Sequence, residues 1–280
     1  MTEQEETRLQ RPLLRWQVVI VGVGAILVIG FLLQSANAYS TVLVAASGGT
    51  YVEAVVGSPR YINPVLSQFN QVDADIASLV FTGLTRLDER GNILPDLATS
   101  WEISAEGKLY TFYLRDDAFW HDGVPVVAED VAFTVRVVQS PDYPGPPSIA
   151  RLWRDVRVET VGNSVVRFAL PEPYAPFLTY TNLGILPSHI LEGLSVAELA
   201  KAEFNRLPIG SGPFAVVESD ADRVALRSSI DYYGERPYLD GIEFRFYRDT
   251  GEAFRAYERG EVLGIAGVTP EYLPEVAAEP

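Results

Sequence analysis

The chain has 280 residues, 48% of them hydrophobic, which is ample for a folded core, and a formal net charge of −15. It contains no cysteine, which excludes disulfides, thiolate metal sites and anchoring through a lipidated cysteine. The acidic balance excludes nucleic acid as a partner and argues against tight adsorption to anionic lipid.

Residues 1–15 carry Glu3, Glu5 and Glu6 against Arg8, Arg11 and Arg15, so the whole net charge lies beyond residue 40. Val18 to Leu33 then runs without a charge, preceded by Trp16 and the three arginines. Residues 16–34 are therefore a transmembrane anchor or a signal peptide. Ser35-Ala36-Asn37-Ala38 fits the small-x-small pattern of a cleavage site, whereas Trp16, Gln17 and Gln34 at the ends suit a short bilayer span, and both readings stay open. Under either, residues 1–15 remain cytoplasmic and everything after Tyr39 is exported. Residues 35–49 read as a linker.

Thr50 to Val56 reads as a strand broken by Gly57-Ser58-Pro59-Arg60. Asp73 to Phe81 reads as a helix with Ile76, Leu79 and Val80 on one side and Gly83 as its C-terminal cap. From Leu109 to Leu114 both alternating sets are largely apolar or aromatic, which predicts a strand covered on both faces. His121-Asp122-Gly123 is a turn, with Gly123 free to take positive φ. A helix follows from Ala128, with Glu129 and Asp130 suited to its dipole and Val131, Val135 and Val138 on one face, although Val127 offers no side-chain acceptor as a cap. Pro141 to Pro147 is a surface loop. Asp155–Val161 and Ser164–Leu170 form a hairpin about Gly162-Asn163. Ser195 caps a helix running to about Phe204, Pro208 to Phe214 makes a rigid turn, Val224–Ser228 and Leu239–Tyr247 are strands, and Thr250–Arg259 is a helix.

Three collinear stretches carry a resemblance. The first holds Leu114, Arg115, Trp120, Asp122, Gly123, Pro125, Ala128, Asp130 and Val131; the second is Gly83-Leu84 through Asp88, Gly91, Pro95, Leu97-Ala98 and Ser100-Trp101; the third is Pro208-Ile209-Gly210-Ser211-Gly212-Pro213-Phe214. Ile62-Asn63-Pro64 and Pro187-Ser188-His189-Ile190-Leu191 add weaker matches. Together they resemble the extracytoplasmic substrate-binding proteins of ABC importers that carry peptides, dipeptides and nickel, the family 5 solute-binding proteins. The likeness covers about Tyr51 to Val268, with departures at Val127, at Asp231 where the family has Asn, and at Leu263-Gly264 where it has an aspartate-bearing strand.

The resemblance implies an α/β, periplasmic-binding-protein-like first lobe of the type II, peptide-binding class, preceded by one apolar helix. Residues 50–62 and 207–268 would belong to that lobe, 63–206 to an inserted α+β subdomain, and 269–280 to a tail leading towards a second lobe. The implied function is the substrate-binding component of an ABC importer, capturing oligopeptides or dipeptides outside the membrane and delivering them to the permease. The alternative is a degenerate receptor or sensor without transport. By the same resemblance the ligand-binding candidates are Gly57, Ser58, Pro59, Arg60 and Tyr61, with Ser211 and Gly212.

No catalytic residue, cofactor or metal is assigned. His121-Asp122 lacks the three or four ligands that zinc or nickel requires, and His189 stands far off in sequence. Asp116-Asp117 and Glu129-Asp130 suit a strand end and a helix start better than glycoside chemistry. There is no G-x-S-x-G, no P-loop and no cysteine nucleophile. Trp101, Trp120 and Trp153 read as packing residues rather than sugar platforms.

Overall fold

A computed structural model describes residues 22–31 and 46–272. The chain divides into two compact units, Met1–Ala46 and Ser47–Pro280. In the first, residues 22–31 are helical. Among the described residues no helix is long and apolar enough to cross a membrane. The remainder of the 16–34 segment, the cleavage motif at 35–38 and residues 273–280 lie outside the described residues.

The larger unit is built on two sheets. The first has the order β11-β1-β10-β9-β8, from β1 (Thr50–Val56), β8 (Phe214–Ser219), β9 (Arg223–Ser228), β10 (Gly241–Tyr247) and β11 (Gly264–Ala266). β1 pairs in parallel with both β10 and β11, while β8, β9 and β10 pair antiparallel. Alternation sends Ala54 and Val55 to opposite faces. Ala54 packs with Ala253 and Ala256 of a late helix, whereas Val55 joins Val72, Ile76 and Phe244 in the main core. β11 forms although Leu263-Gly264 stands where the family has its aspartate; at Gly264 a Cβ would come within 2.0 Å of the Tyr51 hydroxyl.

The second sheet, β4-β5-β7-β6, is wholly antiparallel, from β4 (Ala98–Ile103), β5 (Leu109–Leu114), β6 (Arg157–Val161) and β7 (Val165–Ala169). A two-stranded ribbon, β2 (Thr85–Leu87) with β3 (Ile93–Pro95), precedes it. The helices are α1 (Gln71–Val80), α2 (Ala128–Gln139), α3 (Pro147–Trp153), the short α4 (Ser188–Leu191) and α5 (Val196–Leu199), and α6 (Thr250–Glu258). Phe112, Phe168, Phe177 and Trp153 meet edge-on at centroid distances of 5.3–5.6 Å, an arrangement favoured by the aromatic quadrupole.

Three sequence expectations need correction. β5 is not covered on both faces: Tyr110, Phe112 and Leu114 are buried, while Thr111 and Tyr113 are half-buried and Leu109 is exposed. Gly83 does not cap α1, which ends at Phe81 in extended backbone. Gly83 instead admits the Asn182 backbone, whose carbonyl carbon would sit 2.6 Å from an added Cβ. The helix begun by Ser195 stops at Leu199 rather than Phe204. There Asn205 Nδ2 donates to the Leu199 carbonyl at 2.8 Å, and Asn205 Oδ1 accepts from Asn63 Nδ2 at 2.9 Å, which bends the chain back onto the buried Ile62-Asn63-Pro64 segment.

The residues of the sequence signature form joints between segments. Asp130 is 1% exposed, and its carboxylate accepts from Trp120 Nε1 (3.1 Å), the Val127 N–H (2.9 Å), the Ser188 N–H (2.8 Å) and the Ser188 hydroxyl (2.6 Å). The bond to Val127 serves the helix start that Val127 cannot cap itself. His121 joins the first stretch to the third: its Nδ1 accepts from the Gly210 N–H at 3.2 Å, and its Nε2 faces the Gly212 carbonyl at 3.0 Å. This is the neutral tautomer with the proton on Nε2, and burial holds the His121 pKa below its ordinary value. At the third joint the Tyr233 hydroxyl donates to Asp96, and the Arg115 guanidinium lies 3.8 Å from the Tyr233 ring centroid. Burial raises the Asp96 carboxyl, with the Tyr233 hydrogen bond and Arg86 and Arg115 opposing.

Two expectations follow for stability. Asp130→Ala strands four donors in the interior and should cost roughly 3 kcal/mol or more, read as a fall in the urea midpoint; an unchanged midpoint would refute the hub role. For His121 the folded state favours the neutral ring, so its contribution is present above an unfolded pKa of about 6.5 and lost as pH falls. The wild-type midpoint should therefore drop more between pH 7.5 and pH 5 than that of His121→Gln, and parallel losses would exclude this assignment.

Candidate functional site: an exposed loop and an uncharged groove beside α1

In open sheets with parallel strands, ligands gather at the carboxyl ends of those strands. Here that edge carries the loop 57–61, which leaves the C-terminal end of β1. Gly57 has φ 102°, and its N–H donates to the Tyr247 carbonyl at 2.9 Å. A side chain would be strained in that conformation. Asn70, the N-cap of α1, donates from Nδ2 to the Ser58 carbonyl at 2.9 Å. The Arg60 N–H donates to Asp73 Oδ1 at 2.6 Å. Asp73 is buried, which raises its carboxyl pKa, while hydrogen bonds from the Arg60 and Tyr61 backbone work in the opposite direction. The loop is thus fixed from the N-terminal end of α1, leaving Gly57, Ser58 and Arg60 exposed and Pro59 and Tyr61 half-buried.

Ser211 and Gly212 lie elsewhere. Ser211 is 1% exposed, with its hydroxyl 2.6 Å from that of Thr82. The Gly212 N–H donates to the Val80 carbonyl at 2.8 Å, and a Cβ there would approach the Leu79 carbonyl oxygen to 2.6 Å. Both serve the packing of the third stretch against the C-terminal end of α1, about 15 Å along the helix from the loop.

Along α1 runs a groove of about 700 Å³ to which neither loop 57–61 nor Ser211-Gly212 contributes a wall. Its walls are Ala74, Ala77 and Ser78 of α1, Ser67 and Gln68 before it, Ser148, Ile149 and Trp153 of α3, and the segment 179–184 with Tyr180 and Asn182. No lining residue is charged, in a chain of net charge −15. Hydroxyl and amide groups alternate with aromatic and aliphatic surface, a lining suited to a neutral backbone and varied side chains. Sequence reasoning missed this groove because its walls come from three separate segments of the chain. Trp153, read from the sequence as a packing residue, is buried and also lines the groove.

The two histidines do come near one residue despite their separation in sequence. His189 Nε2 lies 2.9 Å from Asp122 Oδ2, while both ring nitrogens of the neighbouring His121 are engaged by backbone groups. Among the described residues no group of three or more His, Cys, Asp or Glu could hold a metal ion.

Residues 92–280 match the family described as bacterial extracellular solute-binding proteins, family 5 Middle. The oligopeptide-binding protein AppA of Bacillus subtilis (strain 168) is 33% identical over 222 residues, or 77% of this chain and 40% of AppA. Its structure in complex with a nonapeptide superposes with a TM-score of 0.72 at 31% identity, covering 78% of this chain and 44% of that one. The crystal structure of NikZ from Campylobacter jejuni, in complex with Ni(L-His), gives a TM-score of 0.74 at 33% identity over 82% of this chain and 45% of NikZ. The chain therefore spans less than half the length of these relatives. With its α/β fold, its three joined signature stretches and these matches, it belongs to the bacterial extracellular solute-binding proteins of family 5.

Proposed function

We propose that this chain is part of the substrate-binding component of an ABC importer, taking up peptides outside the membrane and passing them to permease subunits. The observation that carries the reading is the uncharged groove beside α1, the helix whose N-terminal end also holds the exposed loop 57–61. A receptor tolerant of peptide sequence must satisfy the ligand's backbone and leave neutral room for side chains, and a lining of serines, amides and aromatic edges does both. Gly57, Ser58, Pro59, Arg60 and Tyr61 are the loop residues that would border the ligand; Ser211 and Gly212 would act on the site only by seating α1.

Residues 50–62 and 207–268 would act as the first lobe, with 63–206 inserted, and the peptide would be closed over by a second lobe reached through 269–280. The work is binding rather than catalysis. Residues 16–34 would keep the protein at the membrane as an anchor, or be removed near Ala38, so that the lobe acts extracytoplasmically in both cases.

Mass spectrometry of the protein purified without refolding should recover short peptides. Recovery of sugars or a metal chelate with no peptide would overturn the assignment. Ser78→Arg puts a cation and a long side chain into the groove from an exposed helical position. It should reduce the recovered peptide at least tenfold while leaving the urea midpoint unchanged; undiminished recovery would place the ligand outside this groove.

A further inference from the structure

A second, larger cavity lies away from the α1 groove, where α2 meets the paired ends of two strands of the antiparallel sheet. It holds about 970 Å³ between α2, the turn after α3 and the paired ends of β6 and β7. Its floor is apolar, with Ala132, Val156 and Leu170 all buried. Three arginines from three elements surround that floor: Arg136 from α2, Arg154 from the turn and Arg157 from β6. Arg136 is paired with Glu129 at 2.7 Å and lies 3.6 Å from Glu192. Arg154 and Arg157 are exposed, and among the described residues neither is in an ion pair. Asp155 is the only carboxylate in the lining.

The shape is fixed from within. Gln139 Nε2 donates to the Trp153 carbonyl at 2.8 Å and to the Val156 carbonyl at 2.7 Å, tying α2 to the turn that carries Arg154 and Arg157. β6 is also the last strand of its sheet, so its outer backbone edge is open to an extended chain. A local excess of positive charge over a buried apolar floor, in a protein of net charge −15, selects for a ligand that offers carboxylates and an apolar side chain together.

We propose that the groove formed by α2, the 154–158 segment and the end of β7 is a docking site for an acidic, partly apolar peptide segment of a partner protein. Arg154 and Arg157 take its carboxylates and the Val156–Leu170 floor takes its apolar side chain. A bilayer is the poorer occupant. The apolar floor, Ala132, Val156 and Leu170, is buried and recessed, within reach of a side chain on an extended segment but not of a flat lipid surface.

The test is fluorescence anisotropy on the purified 280-residue protein, using a labelled octapeptide of alternating leucine and aspartate and its lysine counterpart. The aspartate peptide should bind, the lysine peptide should not, and binding should weaken as salt rises. Arg154→Glu combined with Arg157→Glu should reduce affinity at least tenfold with an unchanged melting transition, while the double lysine variant should retain most of it. Equal binding of both peptides, or no effect of charge reversal, would overturn the proposal. So would loss of binding in Ser78→Arg, which would assign the peptide to the α1 groove. Cosedimentation with phosphatidylglycerol vesicles, without binding of the aspartate peptide, would overturn it in favour of a lipid surface.

Discussion

A carboxylate removed from water is tolerated only when donors replace its hydration, and Asp130 has four of them from three stretches of chain. Trp120 reaches it from the turn before α2, Val127 from the helix start and Ser188 from the start of α4. Each of these donors would be stranded in the interior without the others' common acceptor. Thr134, one turn along α2, extends the arrangement by accepting from the Leu186 N–H at 2.8 Å. The position of α2 over the antiparallel sheet, and of the 185–191 segment over α2, thus rests on one buried side chain.

The other joints work by the same rule. His121 acts as an adaptor between two glycines whose closeness to α1 leaves no space for side chains: a Cβ at Gly210 would lie 1.9 Å from the Val80 carbonyl oxygen. Asp96, Tyr233 and Arg115 bring the ribbon, the end of β5 and the loop before β10 together. Signature residues such as Asp130, Trp120, Arg115, Gly210 and Gly212, with His121, Asp96 and Tyr233 beside them, therefore hold segments in register.

Much of this architecture was legible in the sequence. The strands at 50–56 and 241–247, the Gly162 hairpin with its φ of 59° and the Asp122-Gly123 turn all follow from local periodicity and turn chemistry. The misreadings share a cause: a distant partner overrode a local signal. Asn205 ended α5, Asn182 claimed Gly83, and the second face of β5 remained half-open because tertiary packing covers only the other. The uncharged groove was not legible at all, because serines and amides give no periodic signal and acquire meaning only when α1, α3 and the 179–184 segment converge. Ser211 shows the opposite limit: a rigid turn looked like an accessible surface until Thr82 and α1 covered it.

The position of β1 also constrains how the molecule can form. Its parallel partners are β10 and β11, about two hundred residues later in the chain, so this strand cannot pair with them until the intervening residues have been made. The antiparallel sheet needs no such wait: β4, β5, β6 and β7 lie within residues 98–169 and close by shorter connections. Long-range closure costs chain entropy before any contact compensates for it. The topology thus sets two unequal closure costs: the internal sheet can form from contiguous chain, whereas β1 must bring together segments about two hundred residues apart.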